Sequence, residues 1–182
     1  MHISRSIHSA TDGLPTGRND LTSRLIPCDP SRYGMAWATS DNMKPFEIHT
    51  RLQADCHIIA KLDLSHLLLM NNALLPWFIL VPETEAVELH ELSREDHARL
   101  TDEIRLVSRF VEQAFEVEKL NVAAIGNIVR QMHIHIIGRR TNDFAWPGPV
   151  WGRSEREDYP ADRTEELKRA FASFRAAVSE RQ

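Results

Sequence analysis

Hydrophobic and polar positions change their spacing several times along the chain, and each spacing predicts a type of secondary structure. Apolar, β-branched runs predict strands at residues 57–62, 66–70, 77–81 and 121–125. The run 77–81 is apolar throughout, which is typical of a strand in the centre of a sheet. Apolar residues at spacings of three and four predict helices at about 47–54, about 93–118 and from about 162 onward.

The long predicted helix has a clear start and two distinct sides. Ser93 is followed three residues later by Asp96, an arrangement similar to a capping box at a helix N-terminus. An apolar stripe then runs along one side of the helix and should pack on the sheet. The polar residues between the stripe positions are expected to face solvent: Arg99, Asp102, Glu103, Arg109 and Glu112.

The stretch with the strongest functional signal is residues 129–139, where polar and apolar residues alternate. This period of two predicts a strand whose apolar side rests on the core. Gln131, His133 and His135 fall on its other side. Imidazole can act as nucleophile, acid, base or metal ligand near neutral pH, so the two histidines point to chemistry. The alternative is an exposed polar surface that happens to hold two histidines.

The order of the elements predicts an α+β fold, in which an antiparallel sheet of about five strands carries one long helix and a C-terminal helix. Residues 43–182 are expected to form a single domain, with a core at 43–140 and a Trp/Pro-rich segment and helix at 141–182. Residues 1–42 are rich in small polar residues, glycine and proline, and predict a disordered or loosely packed extension. Met43, where the composition changes, is a candidate natural start, and Met35 is the other.

Composition narrows the function classes. The 182 residues are 42% hydrophobic with a net charge of -4, which argues against a nucleic-acid polymer as partner. The only two cysteines, Cys28 and Cys56, form no CxxC or Cys-His cluster, which favours a reducing, cytoplasmic compartment and no structural zinc. No apolar run reaches the roughly 18 residues of a membrane span, and no secretory signal is visible, so no membrane partner is expected.

Residues 131–137, Gln-Met-His-Ile-His-Ile-Ile, resemble the signature of the histidine triad superfamily of nucleotide hydrolases and transferases. That signature is His-φ-His-φ-His-φ-φ, where φ is apolar, and this chain matches two of the three histidines and all four apolar positions. Gly126 with Asn127, the basic residue after the motif and the block 67–82 are also similar to the family. The resemblance covers about residues 43–140, and its one departure within the motif is Gln131 in place of the first histidine.

The resemblance implies an enzyme that acts at an α-phosphate through a covalent nucleotidyl-histidine. Its nucleophile is the middle histidine of the motif, which is His133 here. The implied substrates are dinucleoside polyphosphates or nucleoside phosphoramidates. The chemistry of the residues agrees, because Gln131, His135 and Asn127 carry N–H groups that could bind phosphate oxygens beside His133. The alternative function is a nucleotide-binding module of the same fold with little or no turnover.

Other expectations concern the substrate's other groups and the assembly. Asn71 resembles the family's asparagine near the ribose or phosphate, with a plain turn residue as the alternative and Asn72 as the fallback. The implied chemistry requires no metal or other cofactor, although Mg²⁺ can accompany the substrate. Trp146 and Trp151 could close over a ligand, or their segment could only cover the sheet edge or a subunit boundary. A homodimer is expected, with the long helix and the Trp-rich segment near its boundary.

Overall fold

The computed structural model describes residues 45–180. The predicted N-terminal extension and the candidate starts at Met35 and Met43 lie outside the described residues. The described helices are α1 (Thr50–Asp55), α2 (Arg94–Ala114) and α3 (Ala161–Ser179). The described strands are β1 (Cys56–Lys61), β2 (Ser65–Met70), β3 (Trp77–Pro82), β4 (Lys119–Ala124) and β5 (Ile134–Arg139). A single turn of 3-10 helix, Leu89–Glu91, precedes α2, and none of the described helices could span a membrane.

The five described strands form one antiparallel sheet in the order β1-β2-β3-β5-β4, which confirms the predicted α+β fold. β3 lies in the centre and all six of its residues are buried, as its continuous apolar run predicted. β5 pairs with β3 on one side and β4 on the other, so His135 sits opposite Ile79 and opposite Ala123. A side chain on β5 is therefore supported from both sides.

Side chains of the sheet alternate between two hydrophobic cores, one on each face. On the first, the helix face, Phe78 packs edge-on against Phe110 of α2 at 5.7 Å between ring centroids, and Phe110 meets Phe171 of α3 at 5.1 Å. On the second, the site face, Trp77 and Ile79 pack with α1 and with residues 144–151. The long helix and the C-terminal helix thus leave one whole face of the sheet to other segments.

The start of α2 agrees with the sequence. The Ser93 hydroxyl accepts a hydrogen bond from the backbone N–H of Asp96 at 3.0 Å, which satisfies one of the free N–H groups of the first turn. The helix ends at Ala114, four residues earlier than predicted. Phe115 leaves the helix to pack against Phe78, with 6.1 Å between the ring centroids.

The expectation that Glu103 faces solvent is wrong. The residue is only 6% exposed and lies on the buried stripe of α2, between Leu100 and Val107. Its Oε1 accepts hydrogen bonds from the backbone N–H groups of Leu64 at 2.7 Å and Ser65 at 3.2 Å. A buried carboxylate is tolerated here because it binds donors of the β1–β2 turn that would otherwise lack partners.

The histidine strand is shorter than the alternating pattern predicted. β5 begins at Ile134, where the pairing with both β3 and β4 starts, so residues 129–133 are not part of the ladder. The Gln131 side chain instead binds the segment before α1: its Oε1 accepts from His49 N–H at 2.8 Å, and its Nε2 donates to the Glu47 carbonyl at 2.9 Å.

Candidate active site

The two histidines of the motif come together on the site face. His133 lies immediately before β5 and His135 lies within it, and their ring centroids are 4.9 Å apart at an interplanar angle of 77°. The chain reaches them from β4 through a turn at Gly126, whose φ of +67° lies in the left-handed region that favours glycine. The same turn places Asn127 beside the histidines.

His133 has a fixed tautomer. Its Nδ1 lies 2.7 Å from the backbone carbonyl oxygen of Gln131. A carbonyl can only accept a hydrogen bond, so Nδ1 carries the ring proton. Among the described residues no group binds Nε2, and in the neutral ring this nitrogen keeps its lone pair. His133 is therefore arranged as a nucleophile or a hydrogen-bond acceptor.

His135 has the opposite tautomer. The indole Nε1 of Trp77 donates a hydrogen bond to His135 Nδ1 at 2.9 Å, so the proton of the neutral ring lies on Nε2. Burial, with a smaller contribution from the neighbouring His133, lowers the pKa of His135 to about 3. The ring is thus neutral at physiological pH and presents an N–H donor.

A cavity of about 420 Å³ lies beside the two histidines. This volume falls in the range of roughly 300–1,000 Å³ that is usual for small-molecule sites. Its apolar walls come from distant parts of the chain: Leu52, Ile128, Val150 and Trp151. Two ion pairs also contribute to the lining, Arg51–Asp55 at 3.5 Å and Arg153–Glu155 at 2.7 Å. The lining therefore offers apolar surface for a flat ring and charges for an anionic group.

Of the remaining predicted site residues, only Asn127 lines the cavity. Asn127 lines the cavity, whereas the Gln131 side chain is directed to Glu47 and His49, and only its backbone carbonyl reaches the site. Asn71 uses its Oδ1 to accept a hydrogen bond from Tyr159 N–H at 2.9 Å. The next residue, Asn72, which is the fallback position for this asparagine, lines the cavity instead. Asn72 is 7% exposed and donates to the Glu155 carbonyl at 3.0 Å.

An ion pair fixes the segment that covers the site face. Arg139, only 1% exposed, grips the Asp143 carboxylate with Nε at 2.7 Å and Nη2 at 2.9 Å. Its Nη1 also donates to Asn121 Oδ1 at 2.8 Å. The segment after Asp143 then brings Trp151 to 5.6 Å from His135 and 6.2 Å from Trp77, measured between ring centroids. Of the two candidate tryptophans, Trp151 lines the cavity and Trp146 does not.

Two features of the candidate site were not predicted from the sequence. Trp77 belongs to the apolar run 77–81, which predicts a buried strand but not a hydrogen bond, and its bond to His135 joins residues 58 positions apart. The Arg139–Asp143 pair was also missed, although a signal was present. Arg139 shares the parity of His135 on an interior strand, and a charged residue at such a position needs a buried partner.

Comparisons with known proteins identify the family. The family model of the HIT domain matches residues 51–142, a range that includes all five predicted site residues. The chain therefore belongs to the HIT domain family, which confirms the resemblance of the motif. A comparison with curated proteins gave no match.

Solved structures agree with this assignment. A histidine triad protein from Bradyrhizobium japonicum is 41% identical with a TM-score of 0.67, and the alignment covers 70% of this chain and 96% of that one. A histidine triad (HIT) protein from Sinorhizobium meliloti 1021 is 40% identical with a TM-score of 0.69, covering 72% and 98%. A histidine triad protein from Marinobacter aquaeolei VT8 is 39% identical with a TM-score of 0.67, covering 71% and 95%.

Proposed function

We propose that the protein is a nucleotide hydrolase or nucleotidyltransferase that acts at an α-phosphate through a covalent nucleotidyl-histidine on His133. The observation that supports this most directly is the 2.7 Å contact between His133 Nδ1 and the Gln131 carbonyl. It holds the ring in the tautomer whose Nε2 is nucleophilic, at the edge of a cavity of small-molecule size. Dinucleoside polyphosphates and nucleoside phosphoramidates are the proposed substrate classes.

The reaction has two steps. His133 Nε2 attacks the α-phosphorus, the bond to the leaving group breaks, and the leaving group takes the bonding electron pair. Water then attacks the same phosphorus and loses a proton to solvent, while the P–N bond breaks and its electrons return to Nε2. A second nucleophile in place of water would make the protein a transferase.

Donors near His133 can stabilise the charge on the non-bridging oxygens. His135 presents Nε2–H and is held in that state by Trp77. Asn127 and Asn72 line the same cavity, and we propose Asn127 as a further donor. Gln131 contributes through its backbone carbonyl rather than its side-chain amide. Both the oxygen and the nitrogen of that amide bind backbone groups of other residues. Asn71 lies outside the cavity lining and its Oδ1 binds Tyr159 N–H, so a role on the substrate would use its Nδ2.

The covalent intermediate is the direct test. Protein mixed with a dinucleoside polyphosphate and quenched in the millisecond range should gain the mass of one nucleotidyl group, and peptide mapping should place it on His133. The non-catalytic alternative has its own outcome: nucleotide binding by calorimetry with neither adduct nor product. Retention of adduct and turnover in His133→Ala would sink the nucleophile assignment.

The proposed chemistry needs no protein-bound metal, and Mg²⁺ enters only with the substrate's phosphates. Adduct formation with a substrate that binds Mg²⁺ weakly, such as an aryl ester of a nucleoside monophosphate, should therefore survive chelation. Complete loss with EDTA and recovery with zinc would contradict this. The cysteine content supports a cytoplasmic location, which cell fractionation can test.

We also propose a homodimer, and exposed apolar side chains favour a boundary at the β4 edge of the sheet. Val150 is 2% exposed and Ala145 8%, so much of the Trp-rich segment packs on its own sheet. The edge strand β4 instead exposes Val122 at 46%, and the following turn exposes Ile128 at 75%. Light scattering should give about twice the 20.9 kDa of one chain, and Val122→Lys should lower it. A native mass near one chain would exclude the dimer.

A further inference from the structure

The contact between Trp77 and His135 limits the proton chemistry of the site. The indole Nε1–H lies 2.9 Å from His135 Nδ1, and an indole nitrogen donates but does not accept. A doubly protonated His135 would place its own Nδ1–H against the indole N–H. As long as this contact is present, the geometry therefore holds the ring in its neutral form with the proton on Nε2.

Burial acts in the same direction. His135 is 5% exposed, and it lies between β3 and β4 with the rings of Trp77 and Trp151 close by. Desolvation, followed by the effect of His133, lowers the pKa of His135 to about 3. The Nε2–H can stabilise a phosphate oxygen by hydrogen bonding. It cannot serve as the acid that protonates a departing group, because the product would be an imidazolate.

The other titratable groups that line the cavity do not fill this role. His133 has its Nδ1–H bound to the Gln131 carbonyl and uses Nε2 as the nucleophile. The guanidinium groups of Arg51 and Arg153 offer hydrogen-bond donors. The carboxylates of Asp55 and Glu155 are paired with these two arginines. Within residues 45–180, the cavity lining thus supplies hydrogen-bond donors but no general acid.

We infer that the site selects phosphoanhydride substrates, whose leaving group departs as a phosphate anion, and disfavours phosphoramidates, whose nitrogen must gain a proton to leave. This inference rests on the proposed nucleotidyl transfer to His133 and narrows its two substrate classes to one.

The proton requirement of the leaving group in the first step explains the selectivity between anhydrides and phosphoramidates. When the P–O bond of an anhydride breaks, the bridging oxygen leaves with the electron pair on a phosphate whose relevant pKa is about 6, so it needs no proton at neutral pH. When the P–N bond of a phosphoramidate breaks, the nitrogen must receive a proton before or during cleavage. General acid catalysis of such a transfer is worth about 100-fold or more, and this site lacks it.

Three adenosine 5′-monophosphate derivatives with small leaving groups separate these cases: the anhydride with propyl phosphate, the amide with propylamine and the ester with 4-nitrophenol. The single-turnover rate of adduct formation at saturating substrate is measured for each with the full chain. The anhydride and the nitrophenyl ester should react at least about 100-fold faster than the propylamide. A propylamide rate within tenfold of the anhydride would overturn the inference and leave the proposed function intact. Failure of all three to form an adduct or product would overturn both.

The state of His135 can be measured independently of turnover. Long-range ¹H–¹⁵N spectra of native protein should show His135 with a protonated Nε2 and an unprotonated Nδ1 from pH 5 to pH 8. Trp77→Phe, which keeps an aromatic ring and removes the donor, should disturb this tautomer. Trp151→Phe is the matched control, since its ring is as close to His135 but makes no hydrogen bond to it, and the tautomer should persist. A native His135 that titrates near its ordinary value or carries its proton on Nδ1 would overturn the inference.

Discussion

The two faces of the sheet are held by different kinds of interaction. The helix face is an apolar core in which aromatic rings of α2, α3 and β3 pack edge-on, and the carboxylate of Glu103 is buried beside them. The site face combines apolar packing with buried directional contacts, Trp77–His135 and Arg139–Asp143. Apolar packing is non-directional and tolerates small shifts of the side chains, whereas a hydrogen bond between buried groups requires one geometry.

This difference predicts where stability and function separate. Buried polar pairs contribute little net stability compared with apolar packing, because their desolvation offsets much of their attraction. Their value on the site face is to define the tautomer of His135 and the path of the segment that carries Trp151. Changes on the helix face should therefore alter stability alone, and changes on the site face should alter both stability and function.

The largest effect should come from His133→Ala. Removal of a nucleophile costs catalysis by more than roughly 10³-fold, and adduct formation should disappear. Because His133 is 7% exposed, the variant also loses some packing, but the fold should persist. His66→Ala is the control: its ring is on the same face, bound to Glu83 at 2.7 Å and outside the cavity. Near-native turnover in His133→Ala, or equal losses in both variants, would refute the assignment.

Arg139→Met and Phe171→Ala compare the two faces at similar cost in stability. The first leaves the Asp143 carboxylate buried without its cation, and the second opens a cavity on the helix face; each should lower the free energy of unfolding by about 3–5 kcal/mol. Only Arg139→Met should also raise KM, since it frees the segment that places Trp151. Urea unfolding and steady-state kinetics measure both quantities.

A double variant isolates the role of the pair. Arg139→Met with Asp143→Leu removes both charges, so stability should recover relative to Arg139→Met, while KM stays high because the segment has lost its anchor. A KM that recovered together with stability would show that the pair acts through global stability alone. A raised KM in Phe171→Ala would remove the distinction between the faces.

Much of the fold could be predicted because its signals are local. The apolar run at 77–81 predicted the central strand, and Ser93 with Asp96 predicted the start of α2. The position of Glu103 could also have been predicted, since residue 103 lies three positions after Leu100 and four before Val107, on the buried stripe. Glu103 was assigned to the solvent side of the helix because its side chain is charged. Burial of a charge depends on backbone donors 38 and 39 residues away.

The site could be predicted only in part, because its contacts join distant segments. The motif predicted that the rings of His133 and His135 share one face, and they do. Alternation also predicted a strand through Gln131, but an extended loop has the same side-chain period as a strand, and here the ladder starts at Ile134. The hydrogen bond from Trp77 to His135 and the approach of Trp151 to the same ring cannot be predicted from the local sequence pattern.

The pH dependence of stability tests the buried state of His135. Its pKa of about 3 in the folded protein lies below the ordinary value near 6.5 expected in the unfolded chain. Between these values the unfolded chain binds a proton that the folded protein does not. The free energy of unfolding should therefore fall as the pH falls below 6.5, by up to ~1.4 kcal/mol per pH unit, with no contribution above 6.5.

His135→Asn is the matched variant, because its amide oxygen can accept from Trp77 but does not titrate. Carboxylates also contribute to acid unfolding in both proteins, so the difference between the two stability curves isolates His135. Parallel curves between pH 4 and pH 6.5 would mean that His135 is accessible to protons, and the site face would then be less rigid than its hydrogen bonds suggest.

The smallest expected effect is that of Gln131→His, which restores the family residue. The Gln131 amide makes two hydrogen bonds to the backbone of Glu47 and His49, and an imidazole cannot reproduce both. Each lost bond should cost about 0.5–1.5 kcal/mol, so the variant should fold with slightly lower stability. The backbone carbonyl that fixes His133 is unchanged, and the nucleophile should remain active. Any change should therefore appear in the rate or in the preference between substrates, measured across the same three adenosine derivatives.

Gln131→Ala is the control, since it removes the same two bonds without adding an imidazole. Identical kinetics in native protein and both variants would exclude the side chain at position 131 from the site, whereas a change confined to Gln131→His would show that the first position of the motif tunes the chemistry of His133.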